Sequence, residues 1–543
     1  MRPLLKRLAR LSALLGVFAS IAAPAQAQQA SASTLPGGRV VLVLPFDNRS
    51  ANASLNWIGD SFPDTLDKRL NSSGFLTISR DDRAFALEHL GLPAGFRPSR
   101  ATTIRIAQQL DANFVIVGSY TIKPSTGGKD TISIQAQVLD VEALTLSPPV
   151  KDGAELNRLF DAENAIAWKV AREMDPTLNV AEQTFLAAPG AVPLPAFEDY
   201  IRGANAPTAQ ERLHRLQSAV ALVPDYAAAL LALGKEQYAT RDYAAAASIL
   251  AKVPTADRLA LEANFYRGLA MFNSANYAAA QKSFDFVEAR LPLPEVINDE
   301  AVAMSRQGKD GVVLFRRATV ADPSDEDYHY NLAIALFREG ATDQALAEVD
   351  TALKLKPSDN EAVELRARLK LAPAGTRLNA NAVSGFSPVE RIRRNYAETG
   401  FRQAAFQLDQ VRATRLAMLP PAQRATQYTQ LGRDYLAQGL LPEAENQFQS
   451  ALVADATSAE AHAGLAQVRE DSGDPAEARI EAAASLKLRS NVEAWMVLAK
   501  LDLAANLLPA SADDVAHALL IEPTNFAALA MRQVLRQRGQ PVP

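Results

Sequence analysis

Two stretches of this chain repeat one another, and every matched pair of residues is 34 positions apart. Small residues occur at two fixed positions, with aromatic or aliphatic residues at other matched positions. The matched pairs include Gly234 with Gly268, Tyr243 with Tyr277, Ala246 with Ala280, and Leu250 with Phe284. Small residues let two helices cross closely, and the larger side chains fill the space between successive helix pairs. This feature predicts a stack of helix pairs.

The same spacing extends over most of the chain that follows. Residues 196–371 form a first block of repeats, which ends in a lone covering helix at 360–371. Residues 389–538 form a second block, in which 391–419 is a weak unit and the last helix is a polar cap. Between the blocks, residues 372–388 break the pattern and indicate either a hinge or a long loop. The 34-residue period with these anchors resembles the tetratricopeptide repeat, a helix–turn–helix unit.

Composition limits the kinds of protein that this chain can be. Its 543 residues are too many for one hydrophobic core, and 48% hydrophobic residues with a net charge of −5 exclude a disordered chain. No basic excess indicates nucleic-acid binding. The chain has no cysteine, which excludes disulfides, thiolate metal sites and cysteine nucleophiles.

The first 27 residues have the pattern of a secretory signal peptide. Four basic residues precede an apolar run, Leu11 to Ala23, and Ala25-Gln26-Ala27 fits the cleavage rule. The alternative is a retained membrane anchor, for which the apolar run is short. Because no cysteine follows this run, a lipoprotein anchor is not expected. We therefore expect a flexible leader at residues 28–38 and a periplasmic protein whose mature chain has no membrane span.

Residues 39–175 predict an α/β domain. The apolar run from Val40 to Leu44 is typical of a strand covered on both faces, and residues 131–138 alternate like a half-exposed antiparallel strand. Gly118, inside another predicted strand, indicates a possible bulge. Residues 123–129 predict a hairpin turn, and residues 176–195 predict a linker rich in proline and glycine.

The motifs of this domain resemble a known family. Val-Leu-Val-Leu-Pro-Phe-Asp-Asn at 41–48, Ile-Gly-Asp at 58–60, Ala-Asn-Phe-Val-Ile-Val-Gly-Ser-Tyr at 112–120 and Val-Leu-Asp at 138–140 are similar to the amino-terminal domain of TolB and its CsgG- and FlgO-like relatives. The resemblance covers about a quarter of the chain and implies a bacterial envelope protein. It carries no catalytic residue.

The sequence contains no recognisable catalytic, metal-binding or phosphate-binding motif. The five histidines (His89, His214, His329, His462 and His517) form no cluster with metal-ligand spacing, and neither a phosphate-binding loop nor a Gly-x-Ser-x-Gly motif is present. We therefore predict no catalytic residue, no metal site and no cofactor. His329 and His462 fall at a large-residue position of a first helix and are interpreted as packing residues.

The concave surface lined by the first helices of the repeats is the better candidate for function. The resemblance to tetratricopeptide repeats implies that this groove binds a protein or peptide, with an amide at the Asn331 position holding the peptide backbone. The repeat register places six candidates for partner binding on it: Phe265, Tyr266, Tyr330, Asn331, Phe337 and Arg338. Packing between units is an equally good explanation for the aromatic residues.

These features predict an exported, non-enzymatic scaffold or adaptor. Its repeat groove would bind protein partners, and its α/β domain would dock on a component of the cell envelope. One alternative is an assembly factor for an outer-membrane secretion or envelope complex. Another is a hydrolase or ligand-binding protein with a site between the α/β domain and the first repeats.

Overall fold

The computed structural model describes residues 40–92, 99–125, 129–187, 192–257, 259–378, 387–394 and 411–543, all within one compact unit, Arg39–Pro543. The predicted signal peptide and leader lie outside the described residues, as do parts of the predicted hairpin turn, linker and inter-block loop. Among the helices described, none has the length and apolarity that a membrane crossing requires.

The amino-terminal part is an α/β domain built on one mixed sheet. The strand order is β3-β1-β4-β5-β6, with β2 beside β4 and β7 beside β5; β1 is parallel to β3 and β4, whereas β4 and β5 are antiparallel. The strands are β1 (Val40–Val43), β2 (Asp47–Asn48), β3 (Leu76–Thr77), β4 (Phe114–Lys123), β5 (Thr131–Asp140), β6 (Thr145–Leu146) and β7 (Val150–Glu155). The helices are α1 (Trp57–Ser72), α2 (Arg80–His89), α3 (Arg100–Gln109) and α4 (Leu159–Met174).

The sequence explains the layers of this domain. Val41 and Val43 belong to the core that contains residues of α1 and α4, whereas Leu42 belongs to the core that contains residues of α3. The sheet is therefore covered on both faces at β1. The predicted bulge at Gly118 is wrong, since the β4–β5 register is continuous through this residue. A Cβ at Gly118 would lie 2.3 Å from the ring of Phe46, so a close approach explains the glycine.

Helices, most of them joined in pairs by short turns, make up most of the described residues that follow the α/β domain. The linker carries α5 (Glu182–Leu186). The first block contains α6 (Leu194–Asn205), α7 (Ala209–Leu222), α8 (Ala227–Ala239), α9 (Tyr243–Leu250), α10 (Ala260–Asn273), α11 (Tyr277–Glu288), α12 (Pro294–Arg306), α13 (Val312–Ala321), α14 (Glu326–Glu339), α15 (Thr342–Leu355) and α16 (Asn360–Leu371). A helical stretch at 411–417 (α17) leads into the second block: α18 (Pro421–Ala437), α19 (Leu441–Ala454), α20 (Ala459–Asp471), α21 (Pro475–Leu488), α22 (Val492–Ala504), α23 (Leu508–Ile521) and α24 (Phe526–Gln537). The predicted fold class, an α/β domain followed by an all-α repeat solenoid, is confirmed.

The doubled segment packs as its small residues predict. A Cβ at Gly268 would lie 2.6 Å from the ring of Phe284, and one at Gly234 would lie 2.4 Å from Leu250, so both helix crossings require glycine. The turn after α10 places Ala275 at a φ of +57°, a left-handed conformation that strains a residue with a Cβ.

The α/β domain packs directly on the first repeats. The Phe197 ring of α6 lies 6.2 Å from that of Trp57 and 4.5 Å from that of Phe160. Beside this apolar contact, Lys235 Nζ of α8 lies 2.7 Å from a carboxylate oxygen of Asp81. One continuous core therefore joins the domain to the start of the solenoid.

The predicted linker, 176–195, also contacts the second block. It contains the short helix α5, whose Phe185 is buried in the core of the α/β domain. From α20, Arg469 Nη1 donates a hydrogen bond to Thr184 Oγ1 at 2.9 Å, and Arg469 Nη2 pairs with Glu445 of α19 at 2.7 Å. Five residues give too little periodicity for the sequence to show this helix.

Residues 387–394, which we call the strap, are extended. The sequence assigns 391–419 to a weak helical unit, but residues 391–394 have no helix or strand and only 411–417 are helical. Side chains of the strap alternate between two sets of partners, as in an extended chain. The strap lies against the first block instead of beginning the second one, because its backbone bonds to side chains of α12 and α14.

Candidate peptide-binding groove

The groove is the surface formed by the first helices of successive repeats, α10, α12, α14 and α16, together with the residues that precede them. The strap crosses this surface as an extended peptide. Its contacts run from Glu361 and Asp359 at the start of α16, through α14, to Asp299 on α12. The strap therefore shows how this surface holds a peptide.

Side-chain amides and one carboxyl group hold the strap's backbone. The Arg391 N–H donates to Asn331 Oδ1 at 2.7 Å, and Asn331 Nδ2 donates back to the Arg391 carbonyl at 2.7 Å. Asn298 Nδ2 donates to the same carbonyl at 3.1 Å, and the Arg393 N–H donates to Asp299 Oδ1 at 2.8 Å. These bonds depend on the backbone alone and would hold any extended peptide in the same register.

The two asparagines are fully buried, so the strap also satisfies them. Asn298 and Asn331 are both 0% exposed and 33 residues apart, on equivalent first helices. Asn331 Nδ2 also donates to Asn298 Oδ1 at 2.8 Å. A buried amide without a partner costs about 1–3 kcal/mol. The pair is therefore a backbone receptor that requires an occupant, whether a peptide or water.

The side chain of Arg391 enters an acidic pocket. Its guanidinium nitrogens lie 2.7 Å from Asp327, 2.6 Å from Asp359 and 2.7 Å from Glu361, and its Cζ lies 3.9 Å from the centre of the Tyr330 ring. The hydrogen bond from Arg391 lowers the pKa of Asp359, against the effect of burial. Burial opposes the charge on Arg391, but the bonds to these carboxylates raise its pKa. The pocket thus combines ion pairs with a cation–π contact.

Arg393, two residues further along the strap, occupies a second acidic pocket. Its guanidinium pairs with Asp325 and lies 3.3 Å from Asp327. The Arg393 Cζ lies 5.3 Å from the centre of the Tyr328 ring. Burial raises the pKa of Asp299, and the hydrogen bond from the Arg393 backbone N–H partly offsets this rise. Two arginines two residues apart therefore meet carboxylates on the same side.

The alternate residues of the strap face other partners. The carboxylate of Glu390 is 0% exposed, accepts hydrogen bonds from Ser305 and Arg338, and lies 3.7 Å from Arg306. Ile392 packs against the apolar clusters of the first block. The groove therefore offers different partners to successive strap residues. It has one position for an acidic side chain, one for an aliphatic side chain and two for arginines.

The six residues predicted to bind a partner occupy three kinds of location. Tyr330, Asn331 and Arg338 contact the strap, as described above. Phe265 and Phe337 are 0% and 5% exposed and belong to the apolar cores. The centre of the Tyr266 ring lies 5.1 Å from Lys235 Nζ. Burial raises the pKa of Tyr266 to about 12.

The sequence did not reveal several residues of the groove. Asn298 could have been recognised from its spacing of 33 residues to Asn331, whereas the acidic residues resemble ordinary helix caps. Indeed Asp325 and Asp359 do accept backbone N–H groups at the starts of α14 and α16. The residues missed were Asn298, Asp299, Ser305, Arg306, Asp325, Asp327, Asp359, Glu361 and the strap itself.

Outside the groove, an acidic cluster and two histidines could suggest a catalytic or metal-binding site. Asp285, Glu288 and Glu300 form an acidic cluster in which Glu288 pairs with Arg317 at 2.5 Å. Burial, together with the neighbouring Glu288 carboxyl, raises the pKa of Glu300 to about 7. A proton on Glu300 and the charge of Arg317 together offset two of the three carboxylate charges of this cluster.

Histidines 329 and 462 join the two helices of their own units. His329 Nδ1 lies 2.7 Å from Glu348, and His462 Nδ1 lies 2.6 Å from Glu481. Both pairs span 19 residues, so they are the same contact in two repeats. The hydrogen bond to Glu348 raises the pKa of His329. These contacts agree with a packing role.

Comparisons with known proteins place the repeats in a family. The tetratricopeptide-repeat family model matches residues 307–360, in the first block, and 429–491, in the second. The chain therefore contains tetratricopeptide repeats in both blocks. No curated protein matches the sequence.

Solved structures are similar to parts of the chain. "YrrB: a TPR protein with an unusual peptide-binding site" is 16% identical over 38% of this chain and 98% of its own, with a TM-score of 0.29. MamA from Desulfovibrio magneticus RS-1 is 18% identical over 31% and 99%, with a TM-score of 0.29. The LpoB C-terminal domain from Salmonella enterica is 21% identical over 23% and 87%, with a TM-score of 0.18.

Fold and groove together define a class of protein. An α/β domain is followed by a solenoid of tetratricopeptide repeats, and such repeats are protein-interaction modules. The chain is thus built to bind protein or peptide partners.

Proposed function

We propose that this protein is an exported, non-enzymatic scaffold that binds an extended segment of a protein partner along the first helices of its first repeat block. The observation that carries the proposal is the backbone receptor made by Asn331 and Asn298, which holds the strap's Arg391 peptide unit. A rigid surface of stacked helices loses little conformational entropy on binding, which favours affinity for a partner.

Export to the periplasm is part of this proposal. It rests on the signal-peptide pattern of residues 1–27 and on the resemblance of the α/β domain to envelope proteins. Fractionation of the expressing cell, with sequencing of the mature amino terminus, tests it. We expect periplasmic protein that begins at Gln28, whereas full-length protein in the cytoplasm would contradict export.

The α/β domain would dock on an envelope component. Its repeat-facing side is occupied by α6, but Arg49, Thr121, Ser133, Gln135 and Lys151 line an open polar depression on the sheet. Reversing the charges of Arg49 and Lys151 in this depression should release the protein from its envelope fraction. Unchanged fractionation of the folded variant would count against docking through this surface.

A site-specific crosslinker tests partner binding at the groove. A photoreactive residue placed at position 361, whose glutamate side chain is 69% exposed beside the groove, should give a discrete protein adduct in envelope fractions. The same residue at position 453, on the exposed side of α19, is the matched control. The proposal predicts that Asn331→Ala removes the adduct at 361. An adduct that persists in this variant, or the same adducts from both positions, would refute groove binding.

A further inference from the structure

The groove is filled by the chain's own strap, and this suggests what the groove recognises. Resting on the proposed function, we propose that the strap is an internal stand-in for the partner. On this proposal the groove binds an extended protein segment with the pattern acid–Arg–aliphatic–Arg, and that segment displaces residues 387–394.

The register of the strap defines the pattern. Hydrogen bonds to Asn331 and Asp299 fix the peptide backbone at Arg391 and Arg393, two residues apart. In an extended chain, successive side chains point to opposite sides. Glu390 and Ile392 therefore point to one side and the two arginines to the other, so each position meets one kind of chemistry.

Charge selects the occupant of the arginine positions. Four carboxylates, belonging to Asp325, Asp327, Asp359 and Glu361, converge on the two guanidinium groups. With the strap absent, these carboxylates would repel one another and any acidic peptide. Arginine suits this site better than lysine because its planar group bonds several carboxylates at once and stacks on Tyr330.

The opposite charge selects the residue before the first arginine. Glu390 is buried against Arg338, Ser305 and Arg306. A neutral or basic residue there would leave Arg338 without its carboxylate. The three charged positions together distinguish this groove from one that binds any extended chain.

The strap is held by contacts that another peptide can reproduce. They are hydrogen bonds and ion pairs to side chains, with a buried Pro388 and a partly buried Ile392 as apolar anchors. Val389 is 50% exposed and contributes little. The strap's advantage is its covalent attachment, which gives an effective concentration on the order of millimolar.

Binding of a labelled peptide to the full chain tests the proposal. The probe is Ser-Pro-Val-Glu-Arg-Ile-Arg-Arg, the sequence of residues 387–394, and fluorescence anisotropy measures its affinity. The protein variants are wild type, R391E/R393E, and the latter combined with N331A. The control probe is the same peptide carrying the two arginine-to-glutamate changes.

We expect R391E/R393E to bind the probe at least about tenfold more tightly than wild type, because the internal competitor is weakened. Adding N331A should remove this gain, and the control probe should not bind. Higher salt should weaken binding, since ion pairs contribute to it. If R391E/R393E does not fold, the milder R391Q replaces it, with the same direction of change expected.

Several results would overturn the inference. One is equal affinity of the probe for wild type and for a folded strap variant, which would mean that the strap does not compete. Binding that does not depend on Asn331 or on the arginines would place the peptide elsewhere. If the crosslinker at position 361 captures a partner while the probe fails to bind, the scaffold function stands and the acid–Arg–aliphatic–Arg specificity is wrong.

Discussion

The two repeat blocks each hold a segment of the chain that lies outside their helices, and they hold it differently. The first block binds the strap mainly through amides and ion pairs, with Pro388 and Ile392 as the apolar contacts. The second block binds α5 through Arg469 and Glu445, but α5 is itself anchored in the α/β core by the buried Phe185. One segment is bound by polar contacts along a groove, and the other is part of a hydrophobic core.

This difference separates exchangeable from permanent contacts. Apolar burial in a packed core costs several kcal/mol to undo, whereas side-chain hydrogen bonds to a peptide backbone can be replaced by bonds to water or to another peptide. The α5 contact therefore fixes the second block against the α/β domain. We expect the strap contact to open without unfolding of either block.

The largest effect expected is from removing the anchor of α5. Phe185→Ala deletes a buried ring that lies 5.2 Å from that of Trp168 and should lower the free energy of unfolding by about 3–5 kcal/mol. The matched change in the strap, Ile392→Ala, should cost less than about 1 kcal/mol. Denaturant unfolding of both variants measures this, and similar losses would remove the distinction between the two contacts.

Raising the pH should weaken the α/β core without opening the strap. Burial raises the pKa of Glu163 to about 7, although hydroxyl groups of Ser61 and Thr65 donate to its carboxylate. The unfolded chain loses this proton near pH 4.5 and the folded chain near pH 7, so stability falls between these values and is level above them.

The loss is as much as about 3 kcal/mol. Melting curves at pH 5.5 and 8 measure it, and Glu163→Gln should make this interval flatter. A wild-type protein that is equally stable at both pH values would contradict a buried, protonated Glu163.

Removing the backbone receptor should affect the strap alone. Asn331→Ala removes the two hydrogen bonds that Asn331 makes to the Arg391 peptide unit, leaving the one from Asn298, and should cost about 1–2 kcal/mol of local stability. Hydrogen exchange at Arg391 should accelerate roughly five- to thirtyfold. The amide of Ala181, which donates to Glu445 at 3.0 Å beside α5, is the internal control. Equal acceleration at both amides would mean that the two contacts open together.

The smallest effect expected concerns the repeats themselves. Ala275→Gly relieves the left-handed turn after α10 and should stabilise the protein by about 0.5–1 kcal/mol. Gly308→Ala, at a turn with a φ of +73° and open space around it, should have the opposite sign. Thermal unfolding compares them. A change in hydrogen exchange at the strap or at α5 in either variant would show that these turns are coupled to the strap and α5 contacts.

The features that the sequence predicted were those carried by a repeating pattern or by residues of one helix. The helix crossing at Gly268 and Phe284 recurs every 34 residues, so the fold class followed from the period. Asn331 was recognised from its place in one helix. The strap was not, because its partners lie 30 to 94 residues away and an extended segment has no helical period. Its arginines and Glu390 were assigned to the start of the second block for that reason.

The strap is also part of the covalent connection between the two blocks. While its eight residues lie in the groove, they are fixed to the first block and add nothing to the reach of that connection. Once released, they could extend it by as much as about 26–29 Å. A partner that displaced the strap would therefore lengthen the free tether between the blocks, while the α5 contact would still hold the second block in place.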